Sequence, residues 1–147
     1  CLLMDTDLPK DDEKKAALRQ PCTAVFDWDK PNAIEEQIFF DVPTNVATQI
    51  LNIAVCEHGV DSVKARLSTG NIPFEVEDDE IRLSAMKPED QKKIGEIAKK
   101  KKVEWYKRID LGEILGNVVF DNWEHISAET KLKSVVEEVL KWVIGND

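Results

Sequence analysis

The sequence predicts an α/β domain with few parallel strands and a predominantly helical C-terminal part. Three observations carry that prediction. The first thirty or so residues read strand, helix, strand, the rhythm of an α/β unit. Beyond them, apolar residues recur at helical spacing and are punctuated by Pro and Gly. The chain has 147 residues, 42% hydrophobic and 33% charged, which suits one domain with a real core. Residues 1–43 form the end of the α/β core in this reading, and residues 44–147 form the helical remainder.

Leu2 to Met4 reads as the end of a buried strand that runs into Asp5-Thr6-Asp7. Pro9 marks a loop, Glu13 to Arg19 a short helix, and Gln20-Pro21 its break. Thr23 to Phe26 has strand character, and Asp27 to Asn32 reads as a loop. Ala33 to Phe40 is the next helix, ended by Asp41-Val42-Pro43. Thr44 is the expected N-cap of a helix over 45–56, with Val46, Ile50, Ile53 and Ala54 on one face and Gly59 past its end. Asp61 is the expected cap of a helix from Ser62 to Leu67. Ser68 to Arg82 reads as an acidic loop. Pro88 suits a first helical turn, with Glu89 to Lys101 following. A shorter helix is expected from Trp105 to Leu115, near Gly116. Ser127 is the expected cap of a last helix with a stripe at Leu132, Val135, Val136, Val139, Leu140 and Val143, closed by Gly145-Asn146.

Composition narrows the function classes. Cys1, Cys22 and Cys56 are odd in number and widely spaced, which excludes a disulfide framework and a zinc site and fits a reducing cytoplasm. His58 and His125 stand alone and read as surface or helix-end residues. No apolar run is long enough to span a bilayer, and no membrane partner is expected. The net charge of −9 is unevenly spread: Lys92 to Arg108 carries +6 and the rest −15. Such polarity lets one face hold nucleic acid while acids elsewhere hold metal or maintain solubility.

The candidate chemistry begins at Asp5 and Asp7. Residues i and i+2 of a strand point to one side, and at a strand's carboxyl end they face the crevice where α/β proteins bind ligands. Two close carboxylates repel each other, and a divalent cation removes the conflict; oxygen ligands of this hardness select Mg²⁺ or Mn²⁺. A bare Asp-x-Asp is also a common turn or cap, and the apolar strand before it is what favours the metal reading. Glu35 and Glu36 open the helix after the second strand. Neighbours on a helix diverge by about 100°, so one is expected as a ligand and the other exposed.

Three segments, "LLMDTD", "VFDWDKPNAIEEQIFFDVP" and "VEWYKRIDLGEILGNVVF", resemble the TOPRIM nuclease domain of the overcoming-lysogenization-defect (OLD) family of ATP-dependent endonucleases. The resemblance implies a partial TOPRIM-like fold and two-metal hydrolysis of DNA phosphodiester bonds, in antiphage defence. It implies catalytic and metal-binding roles for Asp5 and Asp7, a second-metal carboxylate at Glu35 with Glu36 as the alternative, and charge stabilisation by Lys107. A TOPRIM domain also uses a glutamate on an earlier strand, and the family carries an ATPase; neither has a counterpart in this sequence. The chain is therefore expected to be the back part of a larger nuclease, inactive or impaired alone, with the upstream strands and ATPase as its partners.

The basic segment remains open between two readings. Lys99, Lys100, Lys101, Lys102 and Arg108 are candidates for a DNA backbone contact; the lysines are equally placed to end a helix favourably and stay solvated. Trp105 and Tyr106 read as core residues before stacking platforms. The last helix's stripe needs a partner surface, either within the domain or in a homo-oligomer. Two rival functions accompany the nuclease: a noncatalytic interaction module derived from a TOPRIM domain, and an aspartyl-phosphate enzyme using Asp5 as nucleophile.

Overall fold

A computed structural model of the chain describes residues 2–4, 24–27, 32–100 and 102–145. The described part is mostly helical, with two small sheets. Strand β1 (Leu2–Met4) pairs in parallel with β2 (Val25–Asp27), with Met4 opposite Asp27. The N-terminal rhythm thus gives a parallel pair, with Asp27 as the last strand residue rather than a loop residue. The expected helix over 13–19 lies outside the described residues.

Helix α1 (Ile34–Asp41) follows β2 and buries five successive residues, Glu35 to Phe39. Such a run means that other elements surround it, not that one face meets the core. Its closest neighbour is α4 (Pro88–Ala98). Gly95 makes the approach possible: a Cβ there would stand 2.5 Å from the Cα of Glu36, inside van der Waals contact with backbone. Pro88 occupies the first turn of α4, as its fixed φ and missing N–H favour. The helix stops at Ala98, short of the expected Lys101, and Lys102 (φ 96°) and Glu104 (φ 43°) carry the chain through a tight turn.

Helix α2 (Thr44–His58) has Pro43, not Thr44, at its N-cap. Val46, Ile50 and Ala54 at i, i+4, i+8, with Ala47 and Leu51 beside them, are fully buried and form the centre of the core. Gly59 ends the helix at φ 81° and also begins α3 (Val60–Thr69), so Asp61 lies inside the first turn. The segment expected as an acidic loop is a hairpin instead. Strands β3 (Phe74–Glu77) and β4 (Glu80–Leu83) pair antiparallel across Asp78-Asp79, both at positive φ as a two-residue primed turn requires. The backbone edge of β4 is satisfied by α2. Asn52 Nδ2 donates to the Ile81 carbonyl and its Oδ1 accepts from the Ile81 N–H, both at 2.9 Å. Thr48 Oγ1 accepts from the Leu83 N–H at 3.3 Å.

Helix α5 runs over Ile109–Asp121, later than the expected 105–115. Trp105 and Tyr106 precede it as core plugs, 1% and 5% exposed. Tyr106 packs against Phe39, and its hydroxyl donates to the Ile50 carbonyl at 2.9 Å. After a short 3₁₀ turn (Trp123–His125) comes α6 (Lys131–Gly145). Its cap is Thr130 rather than Ser127: Thr130 Oγ1 accepts from Lys133 N–H at 3.4 Å and its carbonyl from Ser134 N–H. Of the expected stripe, Leu132 and Val135 are buried against α1, whereas Leu140 and Val143 are about half exposed (45% and 50%). Trp142 meets Phe26 of β2 edge to face, which ties the helix to the parallel strand pair. No helix among the described residues is long and apolar enough to cross a membrane.

Candidate functional site

Glu35 and Glu36 are both 6% exposed, so the expectation that one is solvated fails. Their divergence around α1 nevertheless holds, because the two residues line different depressions. Glu36 lines a polar cleft of about 540 Å³ between α1, α4 and the start of α6, with Asn32, Gln37, Asp41, Lys92 and Glu129 among its walls. Glu35 lines an apolar groove of about 300 Å³ between α1, α5 and α6.

The polar cleft is built by helix-end chemistry. Glu36 is the third residue of α1, and its Oε2 accepts the Ala33 N–H at 2.8 Å, the return half of a capping box. The same oxygen receives Lys99 Nζ at 2.6 Å, a contact that bridges the start of α1 and the end of α4. Both contacts fall on one oxygen. On the next turn, Asn32 Nδ2 donates to Gln37 Oε1 at 2.9 Å and Gln37 Nε2 donates to Asp41 Oδ2 at 2.7 Å. Asp41 Oδ2 also accepts the Leu132 N–H at 2.7 Å and so holds the first turn of α6. This Asn32–Gln37–Asp41 relay was absent from the sequence expectations. Its only sequence signal is the i, i+4 spacing of Gln37 and Asp41.

The remaining expected residues fall in different places. Asp5, Asp7 and Lys101 lie outside the described residues. Lys99 belongs to the cleft through Glu36, and its carboxylate partner competes with any phosphate. Lys100 and Lys102 are exposed in the turn after α4. Lys107 is exposed and pairs with Glu104 at 3.1 Å, three residues back. Arg108 forms a fork to Asp110, with Nε at 3.1 Å and Nη2 at 2.5 Å, and its Nη1 pairs with Glu57. These contacts raise the guanidinium pKa and lower that of Asp110; for each the mutual hydrogen bond is the largest cause. Arg108 therefore has two acidic neighbours already in hand. The basic stretch is thus divided: Lys99 and Arg108 engage carboxylates, while Lys100 and Lys102 project from a turn.

Tyr106 lines the apolar groove together with Glu35. Its phenol pKa is raised well above 10.0, first by burial and then by the charge of Glu35. It stays protonated at neutral pH and donates rather than accepts. Among the described residues, no three His, Cys, Asp or Glu side chains gather as a metal cluster. A hard cation needs several oxygens; Glu36, Asp41 and Glu129 border the polar cleft but do not gather into such a group. Glu36 is engaged by Lys99 and the Ala33 amide, whereas Glu35 lines its groove with Ile38, Leu115 and Val119. No protein-family model, curated protein or solved structure matches the chain.

Proposed function

We propose that the chain is part of a Mg²⁺- or Mn²⁺-dependent DNA endonuclease of the OLD type, its first residues ending a TOPRIM-like α/β core. One observation carries the reading: β1 and β2 run parallel with Met4 opposite Asp27. Strand β1 ends at Met4, the residue before Asp5-Thr6-Asp7 in the sequence, beside the end of the strand that leads to α1 and Glu36. In α/β proteins this is where ligands sit.

A bound divalent cation supplies Lewis acidity for attack of water on a phosphodiester. Asp5 and Asp7 are the hard oxygen ligands of the site. Glu36 adds a carboxylate from the adjacent helix, fixed by Lys99 and the Ala33 amide. The preference for Glu36 over Glu35 rests on their surroundings, since the two differ by one position in the sequence. Lys107 offsets charge on the pentavalent phosphorus, and Lys100 and Lys102 meet the DNA backbone.

The test is a nicking assay on supercoiled DNA with the gene product that carries this segment. Asp5→Ala and Asp7→Ala are expected to abolish Mg²⁺-dependent nicking; wild-type rates in either would overturn the assignment. The rival reading, a noncatalytic interaction module, is favoured by the outer half of α6, where Leu140, Val143 and Ile144 are 45–74% exposed. Absence of Mn²⁺ binding in the same gene product would select it.

A further inference from the structure

The groove beside Glu35 is a site in its own right. Glu35 is 6% exposed, and among the described residues no hydrogen bond or ion pair meets its carboxylate. An ionisable group taken out of water without a partner is costly, and proteins seldom leave one so unless something else supplies the partner. Glu35 lines an open apolar groove of about 300 Å³, with Ile38, Leu115, Val119, Phe120 and Trp123 in its walls. Phe120 is 69% exposed at the rim. The floor is formed by α5 at Gly112 and Gly116, one turn apart. A Cβ at Gly116 would touch nothing within 4 Å, and one at Gly112 would only just reach the Tyr106 carbonyl oxygen. Neither glycine is needed for packing between helices; together they keep the floor low where a flat group can lie on the backbone.

We propose that this groove binds a small amphipathic amine: a compact aromatic or aliphatic body lying over Gly112 and Gly116, with its ammonium group on the Glu35 carboxylate. A neutral ligand leaves the carboxylate unpaired, and an anion is repelled by it. A hydrophilic cation gains nothing from the apolar walls. Only a cation on an apolar stem satisfies both. Tyr106 does not compete for Glu35, because its hydroxyl donates to the Ile50 carbonyl. The site is separate from the polar cleft of Glu36 and stands whether or not that cleft contributes to a metal site.

The experiment uses the 147-residue chain and three probes of one shape: phenethylamine, phenethyl alcohol and hydrocinnamate. Calorimetric titration, with amide chemical shifts to locate the contact, is expected to show phenethylamine binding about tenfold tighter than the alcohol and hydrocinnamate not binding. The amine should shift the Gly112 and Gly116 amides. Glu35→Gln should remove the preference for the amine, and Gly116→Leu, which fills the floor from an open position, should block both amine and alcohol. Equal affinity for amine and alcohol, shifts elsewhere, or no amine binding at millimolar concentration would overturn the proposal. The probe series on the unaltered chain and the Gly116 variant decide the matter even if Glu35→Gln does not fold.

Discussion

The two sides of α1 hold the same residue type at the same burial in opposite company. Glu36 meets an amide and a lysine beside a polar cleft; Glu35 shares an apolar groove with two glycines and a phenol that donates elsewhere. The lesson is that burial does not set a carboxylate's role. A rotation of about 100° between neighbours moves one acid from a stabilising network into an unpartnered position. The first sits in a network of polar partners, and the second lines the groove proposed for a cation carried on an apolar body.

The most severe way to break this comparison is to push the helices apart. Gly95→Val places side-chain atoms against the Glu36 backbone and is expected to cost about 3 kcal/mol or more, read as a lowered denaturation midpoint. An unchanged midpoint would mean that α1 and α4 are not packed as described. Next comes the pair itself. Glu36→Ala removes an amide acceptor and leaves Lys99 without that partner, an expected loss of about 2 kcal/mol. Glu35→Gln removes an unpartnered charge and should leave stability unchanged or raised. Equal losses in the two variants would erase the distinction.

Smaller effects sharpen it. Tyr106→Phe deletes one hydrogen bond to the Ile50 carbonyl and should cost about 1 kcal/mol at neutral pH. Its pH dependence is more telling. The folded-state pKa of Tyr106 is raised by burial first and by Glu35 second. Its contribution is therefore complete below the unfolded value near 10 and falls as pH rises from there towards the raised folded value. Tyr106→Phe should flatten that alkaline loss. Glu35→Gln should soften it only partly, since burial is the larger cause. Denaturant titrations between about pH 8 and 11 separate the three cases.

Much of this arrangement was legible in the sequence, and the failures have physical causes. Pro88 and Gly59 marked helix ends because one fixes φ and the other reaches φ 81°. Glu35 and Glu36 were placed on different faces by geometry alone. That both are buried was not legible, because it depends on α1 being packed by α4 and by α6. The β3–β4 hairpin was hidden by its acids. Phe74, Val76, Ile81 and Leu83 do alternate with polar residues, but Asp78-Asp79 replaces the glycine that usually announces such a turn. Helix α5 starts late because Trp105 and Tyr106 are spent on the core before it begins, and it runs past Gly112 and Gly116 because nothing there requires it to stop. The lysine run divides between a cap pair and a turn, which depends on where Glu36 lies sixty-three residues earlier.

The most direct measurement is a Mn²⁺ titration of the chain followed by electron paramagnetic resonance, with Glu35→Gln and Glu36→Gln compared side by side. The account predicts that Glu36→Gln weakens Mn²⁺ binding about tenfold while Glu35→Gln leaves it unchanged. Weakened binding in Glu35→Gln, with Glu36→Gln unaffected, would reverse the roles of the two faces and contradict it.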